Sequence, residues 1–162
     1  MEFAAEGFLI HMFEIRYAVP DDAEALSHIA LSAKRYWGYP EGWMEIWRPQ
    51  LTFSPEYFNE NESWVAEVDN QPIAFYTLQD KDENAWIENL WVLPGYIGQG
   101  IGKELFLDAT LRARQMGYKI LQLEADPNAA GFYEKMGMSK IGERRSEVDG
   151  QPRFLPIMEI EL

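Results

Sequence analysis

The chain contains no cysteine among its 162 residues, and that absence excludes several kinds of protein. Without a thiol it can form no disulfide framework, no thiolate metal site and no cysteinyl enzyme intermediate. Histidine is nearly as scarce, because the sequence holds only 2, His11 and His28. Two isolated imidazoles are too few for a zinc centre, so we predict no metal site.

Basic residues and long apolar runs are also in short supply. The 14 Lys and Arg residues are outnumbered by 27 Asp and Glu residues, which gives a formal net charge of −13. Such a charge repels a phosphate backbone, so we expect no nucleic-acid partner and favour a cationic substrate. No apolar run approaches the roughly 20 residues of a membrane helix, and the acidic first residues lack the basic start of a signal peptide. We therefore expect no membrane association and a cytoplasmic protein.

Length and composition predict one globular domain. Apolar residues make up 47% of the chain and charged residues 25%, as in ordinary globular proteins. A chain of this length can bury one sizeable core. The first patterned segment begins directly after Met12, so we interpret residues 1–11 as an extension and residues 12–162 as the domain.

The apolar pattern predicts strands and helices in the order β α α β β β α β α β β. The predicted strands are residues 13–18, 63–68, 72–79, 85–92, 119–125, 138–148 and 152–162. The predicted helices are residues 21–34, 41–51, 100–116 and 128–136. This order favours a single α/β (or α+β) domain with a mixed sheet.

A glycine-rich segment, Pro94–Gly102, lies between a predicted strand and a predicted helix. Backbone N–H groups at a helix N-terminus bind phosphate, and glycine lets the backbone approach the anion closely. A Walker A loop would need glycine at Ile97 and a hydroxyl residue at Glu104, and a dinucleotide loop would need glycine at Lys103. Another kind of phosphate loop is therefore indicated, the alternative being a tight turn with no ligand.

A second segment, residues 128–137, begins with Asn128, for which we predict a helix N-cap role. Tyr133 follows five residues later, beside Phe132. Taken alone, this segment is typical of a capped helix with a buried aromatic pair.

The two segments together resemble the GNAT superfamily of acetyl-CoA-dependent N-acetyltransferases. The family signature is Arg or Gln, two residues, Gly, one residue, then Gly or Ala, and residues 97–102 match it except at Ile97. The family pattern of Asn and Ala followed by Phe-Tyr-x-x-x-Gly is similar to residues 128–137, and residues 88–94 resemble the strand before the family's phosphate loop. The resemblance implies a GNAT-like fold with a mixed, mostly antiparallel central sheet flanked by helices.

The resemblance also implies the cofactor, acetyl-CoA, with CoA as product. Trp91 and Val92 would pair with the pantetheine amides, and Asn128 would bond the cofactor arm. Ile97 places a side-chain bond in doubt but not cofactor binding, because the family's contact to the pyrophosphate is largely through the backbone. The residues implied to hold the pyrophosphate are Gly98, Gln99, Gly100, Gly102 and Lys103.

Two catalytic residues are predicted. Tyr133 matches the family tyrosine that protonates the departing CoA thiolate, and otherwise it is a core aromatic. Glu88 is our candidate general base, because strand alternation would place it on the same face as Trp86 and Leu90. The alternative is that Glu88 only orders water or binds a cationic acceptor. We also expect a backbone N–H at a strand bulge near Trp91 or Val92 to polarise the acetyl carbonyl.

The acceptor is predicted to be a primary amine, with a cation such as a polyamine, amino sugar or lysine-like amine favoured. Aromatic residues concentrate in residues 36–58 and either line the acceptor cleft or simply pack on the sheet. The absence of cysteine favours direct attack within a ternary complex. The oligomeric state is open: the family often dimerises, and the late strands could supply the interface of a homodimer. Two alternatives stay open: a non-catalytic acyl-CoA-binding sensor and a nucleotide-binding regulator. The predicted acceptor-binding residues are Tyr36, Trp37, Tyr39, Trp43 and Trp47.

Overall fold

Seven strands form one sheet in the computed structural model, which describes residues 13–162. The predicted extension, residues 1–11, lies outside the described residues. The strands are β1 Phe13–Tyr17, β2 Ser63–Val68, β3 Gln71–Lys81, β4 Asn84–Val92, β5 Ile120–Glu124, β6 Ser139–Val148 and β7 Gln151–Glu161. The helices are α1 Ala23–Tyr36, α2 Glu41–Trp47, α3 Tyr57–Glu60, α4 Ile101–Gln115 and α5 Ala130–Lys135.

The sheet is mixed and mostly antiparallel, in the order β1-β2-β3-β4-β5-β7-β6. Within residues 13–162, β4 and β5 are the one parallel pair, and every other neighbour is antiparallel. The fold class predicted from the sequence is therefore confirmed. The second predicted helix is shorter than expected: α2 ends at Trp47 and a 3-10 turn continues to Leu51. Pro49 is the physical reason, because it has no N–H to extend the α-helical hydrogen bonding.

Three tight turns fix the hairpins of this sheet. Asp69 and Asn70 join β2 to β3, and both have positive φ, at 51° and 62°. Asp82 and Glu83, and then Asp149 and Gly150, have the same left-handed backbone between β3 and β4 and between β6 and β7. Two consecutive residues with positive φ give a type I′ turn, whose twist matches that of the flanking strands.

Helices cover both faces of the sheet. One face packs against α4 and α5, and the largest fully buried side chains there include Tyr76, Phe106 and Leu121. The other face packs against α1, α2 and α3, around Leu26 and Phe75. None of the helices within residues 13–162 has the length and hydropathy required to span a bilayer.

A β-bulge interrupts the pairing of β4 with β3 at Glu88. Thr77 lies opposite Asn89 and Leu78 lies opposite Ile87, so Glu88 is the extra residue of β4. A bulge adds one residue to the strand and thereby reverses the alternation of its side chains. Leu90 consequently packs in the same core as Ile87.

The position of this bulge makes two sequence predictions wrong. Leu90 does not share a face with Glu88 and Trp86, and the expected bulge lies at Glu88 rather than near Trp91 or Val92.

We expect Phe75→Ala to lower the free energy of unfolding by about 3–5 kcal/mol, because it leaves a cavity among packed aromatic rings. Phe75 is 0% exposed and meets Phe53 and Phe58 at centroid distances of 5.6 Å and 6.5 Å. Leu111→Ala is the control: Leu111 is 49% exposed on α4, and we expect a change within about 0.5 kcal/mol. Urea unfolding followed by circular dichroism measures both, and equal losses would contradict the core assignment.

Candidate active site

Strands β4 and β5 separate after only three residue pairs, and a cavity lies in the opening. Their pairing ends at Ile87 and Leu123. Beyond that point β4 remains bonded to β3 as far as Val92, while β5 remains bonded to β7. The opening contains a cavity of about 460 Å³, lined by residues of β4, the glycine-rich turn, α4, β5 and α5.

The glycine-rich turn forms one end of this cavity. Gly98 and Gly100 have φ values of 82° and 84°, a conformation that glycine adopts without steric cost. Gly100 is the cap of α4, so the first N–H groups of this helix have no acceptor within it. Gly102 and Lys103 also line the cavity, whereas the Gln99 side chain turns away and its Nε2 donates to the Gly95 carbonyl at 3.2 Å. This arrangement of N–H donors at the start of a long helix suits a phosphate group.

The Tyr133 side chain lies on the α5 side of the cavity. It is 7% exposed and packs against Phe106 and Phe132, at centroid distances of 6.1 Å and 5.1 Å. Within residues 13–162 its hydroxyl makes no hydrogen bond, and the side chain lines the cavity. Burial, and then the negative charge of Asp126, raises the pKa of Tyr133 well above its ordinary value. Its phenol therefore stays protonated and can serve as a proton donor.

Asn128 does not cap α5, so that sequence prediction is wrong. The cap position is Ala129, and no side chain bonds the first turn. Asn128 instead donates from Nδ2 to the Tyr39 hydroxyl at 3.0 Å and to Asp126 Oδ1 at 3.1 Å. Its side chain is turned towards these partners because the carboxylate of Asp126 accepts from both its amide and its backbone N–H. The amide oxygen of Asn128 accepts no hydrogen bond within residues 13–162, so it can accept one from a ligand.

Glu88 lines the cavity at the mouth of the opening. Its Oε2 accepts a 2.8 Å hydrogen bond from Trp86 Nε1 and lies 3.5 Å from Lys81 Nζ. Glu88 lies on the same side of β4 as Trp86, as residues two apart in a strand do. The bulge changes the alternation only after Glu88, so Leu90 lies on the opposite side.

Glu124 places a second carboxylate at this cavity, and the sequence analysis did not predict it. Glu124 follows Leu123 on β5 as Glu88 follows Ile87 on β4, and it also lines the cavity. Arg144 of β6 holds it with two bonds, of 2.6 Å and 2.8 Å. The signal available in the sequence was its position at the end of a predicted strand, on the opposite face to Leu123.

The five aromatic residues predicted to bind the acceptor occupy different environments. Trp37 lines the cavity, and so does Trp91 from β4. Tyr36 is 54% exposed and lies away from it. The remaining three pack on one another at centroid distances of 4.9–5.9 Å: they are Tyr39, Trp43 and Trp47. Acceptor binding by these five residues stays a prediction.

A cluster of charges lies beneath those aromatic rings and adjoins the cavity. Lys34 Nζ lies 2.6 Å from Asp126 Oδ2, and Arg153 Nη2 lies 3.6 Å from the same oxygen. The Tyr39 hydroxyl donates to Asp126 and accepts a 2.9 Å bond from Arg153. Both cations also face the Trp47 ring, at 4.4 Å and 4.8 Å from its centroid. The cluster thus joins α1, α2, β7 and the turn after β5.

Burial and charge act against each other on the pKa values of this cluster. Burial favours a higher pKa for Asp126, but the attraction of Lys34 and the hydrogen bonds to the carboxylate outweigh it and lower the pKa. Burial also lowers the pKa of Lys34, because attraction to Asp126 offsets it only in part. Burial, together with the negative charge of Asp126, raises the pKa of Tyr39 to about 12. The Tyr39 hydroxyl therefore stays protonated and remains a hydrogen-bond donor.

The chain matches the model of a known protein family. The model of the Acetyltransferase (GNAT) family matches residues 24–138, and the chain belongs to this family. The peptidyl-lysine N-acetyltransferase YjaB of Salmonella typhimurium is 33% identical over 106 residues, which cover 65% of this chain and 68% of that protein. The ribosomal protein bS18-alanine N-acetyltransferase of Haemophilus influenzae is 34% identical over 79 residues, 48% of this chain and 54% of that protein.

Solved structures show the same fold. A GCN5-related N-acetyltransferase from Rhodopseudomonas palustris has a TM-score of 0.78 at 24% identity, covering 92% of this chain and 95% of its own. The PaiA N-acetyltransferase from Thermoplasma acidophilum, in complex with coenzyme A, has a TM-score of 0.72 at 25% identity and covers 93% of this chain and 99% of its own. The predicted family, fold and cofactor are confirmed: this is an acetyl-CoA-dependent N-acetyltransferase.

We expect Asp126→Asn to lower the free energy of unfolding by about 3 kcal/mol at neutral pH, because it leaves two buried cations without their anion. The pKa of Asp126 is lower in the folded than in the unfolded chain, so its carboxylate stabilises the fold above the unfolded value of about 4. That stability is lost as the pH falls from there through the folded value. The difference between the parent chain and the variant should therefore shrink in acid.

Urea unfolding at a series of pH values measures this difference. Asp82→Asn is the matched control, since Asp82 is exposed in a turn and asparagine tolerates its positive φ of 53°. A loss for Asp126→Asn that stays constant from neutral to acid pH would contradict the role of the carboxylate charge.

Proposed function

We propose that the protein acetylates a primary amine of a cationic acceptor by direct attack in a ternary complex with acetyl-CoA. The observation that carries this proposal is the shared cavity: Tyr133, Glu88 and the glycine-rich turn all line it. A buried phenol, a carboxylate and a helix N-terminus thus meet at one opening in the sheet, and they support these proposed roles.

In this proposal acetyl-CoA binds along the opening between β4 and β5. The backbone N–H groups of Gly98, Gln99, Gly100, Gly102 and Lys103 hold the pyrophosphate. Trp91 and Val92 lie beyond the last β4–β5 pair, so their main-chain groups on that side are available to the pantetheine amides. The amide oxygen of Asn128 accepts a hydrogen bond from the cofactor arm.

The proposed chemistry needs a base and an acid at opposite ends of the reacting bonds. An ammonium has no lone pair, so Glu88 accepts the proton that frees the amine for attack. Tyr133 donates a proton to the thiolate that leaves, which its high pKa permits. No acetyl-enzyme through cysteine can form, because the chain has no cysteine, and direct attack is the remaining route we propose.

The acceptor that we propose is a primary alkylammonium, with a lysine side chain of a peptide as the first probe. Glu88 and Glu124 face the opening from its two strands, and Trp37 and Trp91 add aromatic walls. Carboxylates and aromatic faces both attract a cation. The net charge of −13 acts in the same direction. YjaB, named as a peptidyl-lysine N-acetyltransferase, makes lysine the natural first choice.

Further features of the proposal concern the rest of the chain. The packed residues Tyr39, Trp43 and Trp47 would shape the acceptor side from behind Trp37, and Tyr36 would contact an extended acceptor at the surface. A homodimer through β6 and β7 and action in the cytoplasm are also proposed.

We expect Tyr133→Phe to lower kcat about 100-fold, because the thiolate loses its proton donor while the ring still packs. The affinity for acetyl-CoA should change less than about threefold, because the Tyr133 hydroxyl is proposed to act on the departing thiolate and not on bound acetyl-CoA. Thiol release from acetyl-CoA with a lysine peptide measures kcat, and calorimetry with CoA measures affinity. Phe132→Leu is the neighbouring control for packing alone. Unchanged turnover in Tyr133→Phe would remove Tyr133 from the mechanism, and absence of CoA binding by the parent chain would overturn the proposed function.

We expect Glu88→Gln and Glu124→Gln to differ. Loss of the base should lower kcat about 100-fold in Glu88→Gln. Glu124 has both oxygens committed to Arg144, so Glu124→Gln should act mainly on the acceptor KM. Steady-state kinetics with the same peptide separates the two effects, and a larger fall of kcat in Glu124→Gln would exchange the roles of the two carboxylates.

A further inference from the structure

Lys81, the last residue of β3, contacts Glu88, which lines the cavity. Its Nζ is 4.0 Å from the centroid of the Trp86 ring and 3.5 Å from Glu88 Oε2. The same carboxylate oxygen accepts the 2.8 Å bond from Trp86 Nε1, which fixes the ring and the carboxylate relative to each other.

Trp86 and Glu88 therefore form a binding site for a primary ammonium, and Lys81 occupies it. A cation over an indole face and beside a carboxylate combines two attractions that recognise alkylammonium groups. Lys81 is about half exposed, so its position reflects this local attraction rather than burial in the core. Glu88 is common to the ammonium site and the cavity, because it also lines the opening between β4 and β5.

We propose that Lys81 is an intramolecular acceptor, acetylated on Nζ by this chain when acetyl-CoA is bound and no other amine occupies the ammonium site. The inference rests on the proposed function, since it uses the same acetyl donor, base and acid. It adds a modification site, and it assigns Trp86 to the recognition of the acceptor's ammonium group.

The reaction balances with the groups already named. Glu88 accepts one proton from the Lys81 ammonium, and the free amine attacks the carbonyl carbon of the thioester. The new C–N bond forms, the nitrogen releases its second proton, and the C–S bond breaks. Tyr133 protonates the departing thiolate and recovers its proton from solvent, and Glu88 releases to solvent the proton that it accepted. The products are the acetamide of Lys81, CoA and one proton.

Competition follows from the shared site. An external alkylammonium that binds Trp86 and Glu88 displaces Lys81 and should protect it from acetylation. Acetylation removes the positive charge of Lys81, so the modified side chain no longer has the ion pair and the cation–π contact that hold it there.

The experiment incubates the full chain with acetyl-CoA alone and follows each lysine by peptide mass mapping. We expect Lys81 to gain an acetyl group at least tenfold faster than the exposed lysines Lys119 and Lys135, which react without a catalyst and serve as internal controls. The rate constant should not depend on protein concentration, because the transfer occurs within one chain. An excess of the lysine peptide should slow it.

Variants separate this inference from a general reactivity of lysine. Glu88→Gln should slow acetylation of Lys81 at least tenfold and leave Lys119 unchanged. Trp86→Leu should slow it with CoA affinity unchanged, because Trp86 contacts Lys81 and Glu88 but does not line the cavity. Lys81→Arg should abolish the fast modification while the chain still binds CoA.

Three outcomes would overturn the inference. One is modification of Lys81 no faster than that of Lys119 and Lys135, and another is a rate insensitive to Glu88→Gln. The third is preferential modification of Lys103, the lysine that lines the cavity itself. If the chain binds CoA and acetylates the peptide but not Lys81, the inference fails and the proposed function stands. If calorimetry detects no CoA binding, both fail.

Discussion

The separation of β4 from β5 is the constraint on which the rest of the site depends. Each strand keeps one neighbour through its whole length, β4 on β3 and β5 on β7, so the gap between them costs few hydrogen bonds. The bulge at Glu88 begins where the parallel pairing stops, and a bulge increases the local twist of a strand. An opening through the middle of a sheet therefore coexists with a continuous core on both of its faces.

That opening places the two halves of the reaction on different parts of the chain. The glycine-rich turn and α5 follow β4 and β5 and form the side for which we propose the phosphate and thiol contacts. The helices before β2 form the other side, where Trp37 reaches the cavity. The cluster of Lys34, Asp126 and Arg153 ties the two sides together, because Asp126 lies on the turn after β5 while Lys34 belongs to α1.

The same cluster shows why the overall charge is a poor guide to a local site. The chain carries a net charge of −13, yet the group beneath the aromatic rings holds two cations and one anion. Burial and short distances decide the protonation of these groups, whereas distant surface charges are screened by solvent and salt. The proposal of a cationic acceptor therefore depends mainly on Glu88 and Glu124, which line the cavity itself.

Much of the fold was predictable from the sequence because its signals are local. Apolar alternation located the strands, and pairs such as Asp69 and Asn70 marked the turns. The bulge was predicted in the wrong place, because a bulge is defined by the register of β4 against β3 and not by the sequence of β4 alone. The prediction that Asn128 caps a helix was also wrong because of a partner outside the local sequence. Asn128 bonds Tyr39, which lies 89 residues away in the chain.

The sequence by itself determined the family and the position of the glycine-rich turn, because both depend on glycine, asparagine and tyrosine at short, fixed spacings. It also determined that no cysteine takes part in the chemistry. Only the tertiary structure decided which carboxylates face the opening and which amine lies beside them. Glu124 acquires its position from the parallel pairing of β5 with β4, two strands that are separated in the chain by α4. Lys81 is placed beside Glu88 by the β3–β4 hairpin and the bulge within it.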